Sequence, residues 1–511
     1  MNQPDFPPAF SNIRTITSAK VWSLLILFTF LGISLLNLRT WHPWGDDFAQ
    51  YISQALNLAS GKSQLDTGLI HTPYTIEWQA PRYYPFGLPL FLTPAAKLFG
   101  NHLLSFNYSL AVVYFILCIS LFLYFKQQFS PLTSLLLTLT LCLNPWMVYT
   151  KFAILSDIPY LAFSTLALYF LQKNTKSRRD YIFTFISLYF SFSLRSISIT
   201  LLAAIIFFSI FELIKNHHSK GARINLTMTV LAFIAYQLSN RLLFNLPPTN
   251  SYLQIFGVTS LSQFTSLLLY SPSQFLLAFR DLCLTLTSII YLPPFLAQGK
   301  LLLTLIWLGI CFAGFLVSSY RSLSLSSFYL ICYLSVLFLT RIGNGQGFRI
   351  LLPILPILFY YTFDLIQLLT PKLKPFVIIL LLLIVTSYLP LIFQIQNTKD
   401  IITDGPQTPS AQEAFDFIRQ STPISANIVF YKARALALYT QRHTHPIINR
   451  PLDSQPQINF LVNQYHQLHI NYFLIDYQSD DFENKLLLSF INHDQTAKEI
   501  WHNHQYRLYR Y

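Results

Sequence analysis

Long stretches almost free of charge, broken at short intervals by small basic clusters, run through this chain as far as residue 395. Several hold about 18 or more nearly uncharged residues, enough for a helix to cross a hydrocarbon layer of roughly 30 Å. The pattern predicts a polytopic α-helical membrane protein. The opening run, Val21 to Leu38, follows Arg14 and Lys20 and has no small-residue cleavage site behind it. It reads as a retained signal anchor with its amino end in the cytoplasm. Lys126 ends the second apolar run, the Lys173, Lys176, Arg178, Arg179 cluster follows the fourth, and Lys215, Lys220 and Arg223 with His217 and His218 follow the sixth. Loops that carry such clusters belong inside. Parity then puts the loop from Thr40 to Asn107 and the connection from Tyr149 to Asp157 on the outer face.

Further along, the runs Tyr181 to Leu194 and Ile197 to Leu213 are short and separated by Arg195, which fits a hairpin that does not fully traverse. Ile224 to Phe244 is a seventh run. Leu246 to Gly299 is rich in Pro and Ser, and within it Phe275 to Phe295 is apolar but interrupted by Arg280 and Asp281. If that segment stays outside, the Arg321 loop and the Lys372 to Lys374 turn fall inside, and the tail emerges outside after about eleven spans, within a range of roughly ten to thirteen. If it crosses, those loops invert.

From residue 396 Asp, Glu, His, Asn and Gln return and long apolar runs stop. Two domains are therefore expected: a membrane domain over 1–395 and a soluble α/β domain over 396–511. In the latter, Ala411, Ala414, Phe415 and Ile418 recur at helical spacing behind Ser410 as a cap. Asn427 to Tyr431, Tyr472 to Tyr477 and Tyr506 to Tyr511 read as strands.

Overall composition supports the membrane reading: 53% apolar, 16% aromatic, 11% charged, with mean hydropathy +0.44. The net charge of +13 lies largely in short loops and forms no patch interleaved with aromatics, so it argues for positive-inside orientation and against a nucleic-acid partner. None of the five cysteines makes a CxxC spacing. They read as small buried residues.

Acid is scarce, so its placement is informative. Asp46 and Asp47 stand together after the first span, with Tyr51 four residues beyond the second of them, and the stretch to Ala55, Leu58 and Gly61 reads as a short surface helix. Asp46 suits its amino-terminal cap and Gly61 its close, which leaves Asp47 free. Asp157, in Ser156-Asp157-Ile158-Pro159, stands at the outer entrance of the next span, where a helix dipole favours an acid. Arg82-Tyr83-Tyr84-Pro85 through Pro89 reads as a helix-free segment crossing the surface. Arg349 precedes the proline-bearing run to Pro356 and is suited either to snorkel or to hold a lipid phosphate. Gly343, Gly345 and Gly347 read as a flexible outer loop rather than a nucleotide-binding turn. The pairs His443/His445 and His502/His504 are read as surface histidines before metal ligands.

Taken in order, these motifs resemble the bacterial branch of the GT-C glycosyltransferases, with protein O-mannosyltransferase-like, aminoarabinose-transferase-like and lipopolysaccharide-core glycosyltransferase-like members. The resemblance rests on Asp46-Asp47 with Tyr51, Arg82 through Pro89 and Phe99-Gly100, Ser156 to Pro159, Leu194-Arg195, and Arg349 to Pro356. It implies a multi-pass inner-membrane enzyme that moves a sugar from a polyprenyl-phosphate donor to a hydroxyl of a cell-envelope acceptor on the extracytoplasmic face. Asp47 would be the base; Asp46 remains an alternative because relatives carry Glu after the catalytic acid, whereas here Phe48 follows. Asp157 would orient a substrate or hold a divalent ion, the only cofactor expected. Tyr51, Arg82, Tyr84, Arg195 and Arg349 would bind substrate, with Arg349 the leading phosphate contact. The rivals are a lipid-linked-sugar flippase, a glycan ligase or polymerase, and a non-enzymatic assembly protein. No two-half repeat with broken helices supports the flippase.

Overall fold

In the computed structural model, residues 9–72, 80–173, 175–244, 280, 299–339, 348–369, 374–448, 455–493 and 496–511 are described. Their helices follow the apolar runs closely. The chain opens with α1 (Ala9–Leu35), α2 (Asp47–Ala59), α3 (Gly87–Phe99), α4 (Leu103–Lys126), α5 (Pro131–Cys142), α6 (Pro145–Thr150) and α7 (Asp157–Gln172). It continues through α8 (Arg178–Leu194), α9 (Ile199–Lys215), α10 (Lys220–Leu238), α11 (Lys300–Arg321), α12 (Leu325–Leu339), the single turn α13 (Phe348–Leu351), α14 (Leu355–Leu369) and α15 (Lys374–Asn397).

Among the described residues five helical stretches are long and apolar enough to cross a membrane: Leu103–Lys126, Ser196–Lys215, Lys300–Arg321, Arg349–Leu369 and Pro375–Asn397. Shorter apolar helices, Lys20–Leu35, Gly87–Phe99, Pro131–Cys142 and Leu325–Phe338, flank them. The protein is a membrane protein. Expectations for residues 246–298 apart from Arg280, for Gly343, Gly345 and Gly347, and for the Lys372-Leu373 part of the basic turn lie outside the described residues, and the expected eleven spans lie partly there with them. Helix α4 packs on α7, α7 on α8, and α11 on α14, around a core rich in Tyr, Phe and Leu.

One reading of the segment between α1 and α4 changes. The proline-bearing segment after Tyr84 is not helix-free: α3 begins at Gly87. Pro89 falls in its first turn, where a missing N–H leaves no intrahelical bond unmade. Gly87 is required by proximity, because a Cβ there would stand 2.6 Å from the Ser193 carbonyl oxygen. That close approach brings the Tyr84 turn against the end of α8, just before Arg195. Helix α2 closes as expected: Gly61 takes φ of 70°, its N–H reaches Leu58 O at 3.2 Å, and the Lys62 N–H reaches Asn57 O at 2.8 Å, a Schellman close.

Beyond α15 lies the sheet unit: α16 (Pro409–Ser421), β1 (Asn427–Val429), α17 (Ala433–Thr440), β2 (His443–His445), α18 (Gln455–Gln467), β3 (Tyr472–Asp476), α19 (Phe482–His493), β4 (Lys498–His502) and β5 (Tyr506–Arg510). Strand order is β2-β1-β3-β5-β4, parallel among β2, β1 and β3 and antiparallel through β5 and β4. The three expected strands are β1, β3 and β5. The other two, His443–His445 and Lys498–His502, are short and polar and carry little apolar alternation. The cap of α16 is Thr408, whose side chain accepts from the Ala411 N–H, and not Ser410, which lies inside the helix and is buried. Pro409 at the first helical position fixes that register.

This unit rests on the segment between α1 and α2. The Trp41 indole donates to Lys399 O at 2.6 Å, the His42 N–H to Gln407 Oε1 at 2.9 Å, and the Asn37 N–H to Gln396 Oε1 at 2.8 Å. Trp44 packs edge-on against Phe430 and Phe415 of the sheet core. Leu69 bridges Thr444 in parallel, lengthening the sheet at its β2 edge.

Candidate active site

Helix α2 carries Asp47 in its first turn, with Phe48, Ile52 and Ala55 buried on its inner side. Its axial neighbour Tyr51 hydrogen-bonds through its hydroxyl to Ser156 Oγ at 2.9 Å. That contact fixes α2 against the start of α7, whose first residue is Asp157. The connection before Asp157 is anchored by Lys151, buried, whose ammonium donates to Ile33 O at 3.0 Å and Ser34 O at 2.7 Å. Those carbonyls end α1, where a cation is favoured. The tight apolar loop is thereby explained as a strap that sets Asp157 in place.

Arg195 interrupts the run between α8 and α9 with extended backbone, φ −148° and ψ 139°. Its guanidinium pairs with Asp157 Oδ1. Arg349, in α13, donates to Asp157 Oδ2 from Nε at 3.2 Å and from a terminal nitrogen at 3.0 Å, and the same nitrogen reaches Asp47 Oδ2 at 3.4 Å. One guanidinium thus bridges two acids that are 110 positions apart in sequence, Asp47 and Asp157. Tyr84 donates its hydroxyl to Asp47 Oδ1 at 2.5 Å, and the Tyr51 and Tyr84 rings meet edge to face at 5.2 Å.

A residue missed by sequence reasoning completes the cluster. Arg434, at the start of α17 in the sheet unit, donates from Nε to Asp46 Oδ2 at 3.0 Å, from one terminal nitrogen to Asp47 Oδ1 at 3.3 Å, and from the other to the Tyr84 hydroxyl. Asp46 does not cap α2 through its side chain. Its carboxylate instead accepts from the Ala435 N–H at 3.2 Å and the Arg434 N–H at 3.5 Å, at the amino end of α17. It caps a helix of the other unit, where Lys432 supplies no side-chain cap.

Exposure separates the acids. The Asp47 side chain is 33% exposed, Asp46 12% and Asp157 4%. Burial alone would raise the Asp47 pKa, but Arg434 and Arg349, with the Tyr84 hydrogen bond, outweigh it and hold the group below its ordinary value. Burial likewise disfavours charge on Arg434, and Tyr84, Asp46 and Asp47 more than offset it. Tyr84 is pushed well above its usual range, chiefly by burial, and stays a donor.

The structure therefore brings together Asp46, Asp47, Tyr51, Tyr84, Asp157, Arg195 and Arg349. Arg82 differs: it sits in the turn Pro81–Tyr83 with its guanidinium 5.1 Å from the Tyr83 ring centre. Among the described residues, none of the ion pairs of the three aspartates is to Arg82. The donor set does not suit a divalent ion. Each aspartate already faces an arginine, and among the described residues no group of three His, Cys, Asp or Glu side chains is disposed to hold an ion. The His443/His445 pair is divided by the strand, His443 outward and His445 buried.

The cluster of three carboxylates, three guanidinia and two tyrosines lies at the junction of the helices with a small mixed sheet unit, and the fold around it matches solved structures. The chain has the GT-C fold. ArnT from Cupriavidus metallidurans in the apo state aligns over 96% of this chain and 98% of its own, with TM-score 0.56 and 12% identity. The same protein bound to undecaprenyl phosphate aligns with TM-score 0.50 over the same shares. The Archaeoglobus fulgidus oligosaccharyltransferase, in a complex with Zn and sulfate, aligns over 88% of this chain and 68% of its own, with TM-score 0.55 and 14% identity. The family model for dolichyl-phosphate-mannose-protein mannosyltransferases matches residues 84–239, which contain Tyr84, Asp157 and Arg195. No curated protein matches the sequence.

Proposed function

We propose that this protein is a membrane glycosyltransferase that moves a sugar from a polyprenyl-phosphate donor to a hydroxyl-bearing acceptor of the cell envelope. The observation that carries the reading is the Arg349 bridge, which sets a carboxylate one-third exposed beside a guanidinium suited to a phosphate. The neighbouring ArnT structure with undecaprenyl phosphate supports a lipid phosphate as the donor's anchor.

In this mechanism the acceptor hydroxyl attacks the anomeric carbon, a new C–O bond forms, and the bond to the lipid phosphate breaks. Asp47 accepts the hydroxyl proton; its exposure and its ionised state suit it better than the capping Asp46. Arg349 and Arg195, 32% and 21% exposed, face the departing phosphate and neutralise its charge. Asp157 orients both guanidinia. The positive-inside pattern supports a site on the extracytoplasmic side of the inner membrane, with the sheet unit, as residues 396–511, over it.

The test is transfer by the purified protein from a panel of undecaprenyl-phosphate sugars, with Asp47→Asn beside the wild type. Loss of about 10²–10⁴-fold in kcat is expected for the variant. Retained turnover would remove Asp47 from the mechanism. Lipid movement across vesicles without any transfer would instead favour the flippase.

A further inference from the structure

The site's third arginine comes from the unit that the membrane motifs do not touch. Its three donor directions are each committed within the protein: Nε to Asp46, one terminal nitrogen to Asp47, the other to Tyr84. Its side chain is 6% exposed, against 32% for Arg349. With all three nitrogens engaged and the side chain this buried, it offers a phosphate far less than Arg349 does. What it can do is hold the Asp47 carboxylate and the Tyr84 hydroxyl in one fixed relation.

From this we infer that Arg434 is a positioning residue for Asp47, and that Asp46 is the docking acid that delivers it. The inference rests on the glycosyltransferase reading and extends it: the sheet unit is part of the catalytic machinery. The two residues are coupled by geometry. Asp46 accepts from the first backbone N–H groups of α17 and from the Arg434 side chain at once, so the contact that seats the helix also sets the guanidinium. Around it the Trp41, His42 and Trp44 contacts and the Leu69–Thr444 bridge hold the same face. Asp47 is thus presented by two elements from opposite ends of the chain, and its orientation depends on both.

The experiment uses the full-length protein in lipid nanodiscs, with Arg434→Met, Arg434→Lys and Asp46→Asn. Turnover is measured with an undecaprenyl-phosphate hexose, binding with undecaprenyl phosphate alone, and docking by amide hydrogen exchange at residues 434 and 435. Arg434→Met should lower kcat on the order of 10²-fold, the loss typical of a misplaced reacting group. Binding of undecaprenyl phosphate should stay within about twofold. Removing a cation beside Asp47 raises its pKa, so the acid-side fall in rate should move to higher pH. Arg434→Lys should restore the pH profile but not kcat, because one ammonium cannot make the three-way contact. Asp46→Asn should speed exchange at 434 and 435 and lower kcat.

Three results overturn the proposal: unchanged kcat in Arg434→Met, a phosphate-binding loss of tenfold or more in its place, or full recovery with Lys. If Arg434→Met fails to fold, Arg434→Lys and Asp46→Asn decide, and unchanged exchange and kcat in the latter refutes the docking role. A wild type that transfers no sugar would refute the glycosyltransferase reading instead, while the exchange measurements still report on Asp46.

Discussion

Replacing Arg349 by Gln separates the two roles its bridge can play, holding the fold and stabilising the leaving phosphate. In the ground state the side chain makes three hydrogen bonds, two to Asp157 and one at 3.4 Å to Asp47. Asp157 keeps Arg195 and Asp47 keeps Arg434 and Tyr84, so neither acid is left alone. Because Arg349 is about one-third exposed, the loss in stability should be about 1 kcal/mol. The transition-state term is larger: removing one preorganised donor from a developing anion costs roughly 10²–10³ in kcat, or about 2.7–4 kcal/mol. Activity should therefore collapse in a protein that remains folded. The assay is single-turnover transfer from an undecaprenyl-phosphate hexose in nanodiscs, with thermal unfolding of the same samples. Arg349→Lys, which keeps a point charge but cannot span Asp47 and Asp157, should fall between. A Gln variant with kcat and undecaprenyl phosphate binding close to wild type would refute the phosphate role, and so would a loss that tracks unfolding alone.

Other consequences are open to measurement. Asp47 is held below its usual pKa, so its contribution to stability is present above about pH 4 and lost as pH falls through its folded value; rate and stability should show no Asp47 titration between roughly pH 5 and 8. Glu483, pushed up to about 7 by burial, titrates in that window, so an acid limb centred above pH 5 that persists in Glu483→Gln counts against Asp47 as the base. The Gln50 carboxamide is fully buried, and among the described residues neither its nitrogen nor its oxygen has a hydrogen-bond partner, so Gln50→Leu should raise stability by about 1–2 kcal/mol in thermal unfolding; a fall would show that the amide makes a bond in solution. Gly87→Ala must separate α3 from the Ser193 carbonyl, at a cost of about 1–3 kcal/mol, and should slow transfer by displacing Tyr84; an unchanged melting temperature refutes the tight approach.

The helices were legible because lipid and a packed core both demand apolar residues, so hydrophobic length and basic punctuation carry most of the architecture. Lys126, Arg195 and Lys215 each mark an end or a break that the structure places within a residue or two. Legibility failed where a local rule had two outcomes. Proline after Tyr84 was read as excluding a helix, yet in a first turn it favours one. Ser410 and Thr408 are both good caps, and Pro409 between them decides in favour of the earlier residue. Strands β2 and β4 are three and five residues long and mostly polar, held by their pairing rather than by an alternating face.

The site divides along the same line. Asp47, Asp157, Arg195 and Arg349 stood out because charge is costly beside a membrane and each borders an apolar run. Arg434 did not, since an arginine in a polar, soluble stretch is unremarkable and its partners lie 387 and 388 positions away. Asp46 was misread for a related reason: an acid before a helix is a cap by every local rule, and only the folded chain shows that the helix it caps is α17. A count of charge offers the signal that was overlooked. Asp46, Asp47 and Asp157 are three acids at one membrane face, and Arg195 and Arg349 balance only two of them. The count calls for a third cation; Arg82 in the same loop is the candidate the sequence offers, and the folded chain supplies Arg434 from the sheet unit in its place.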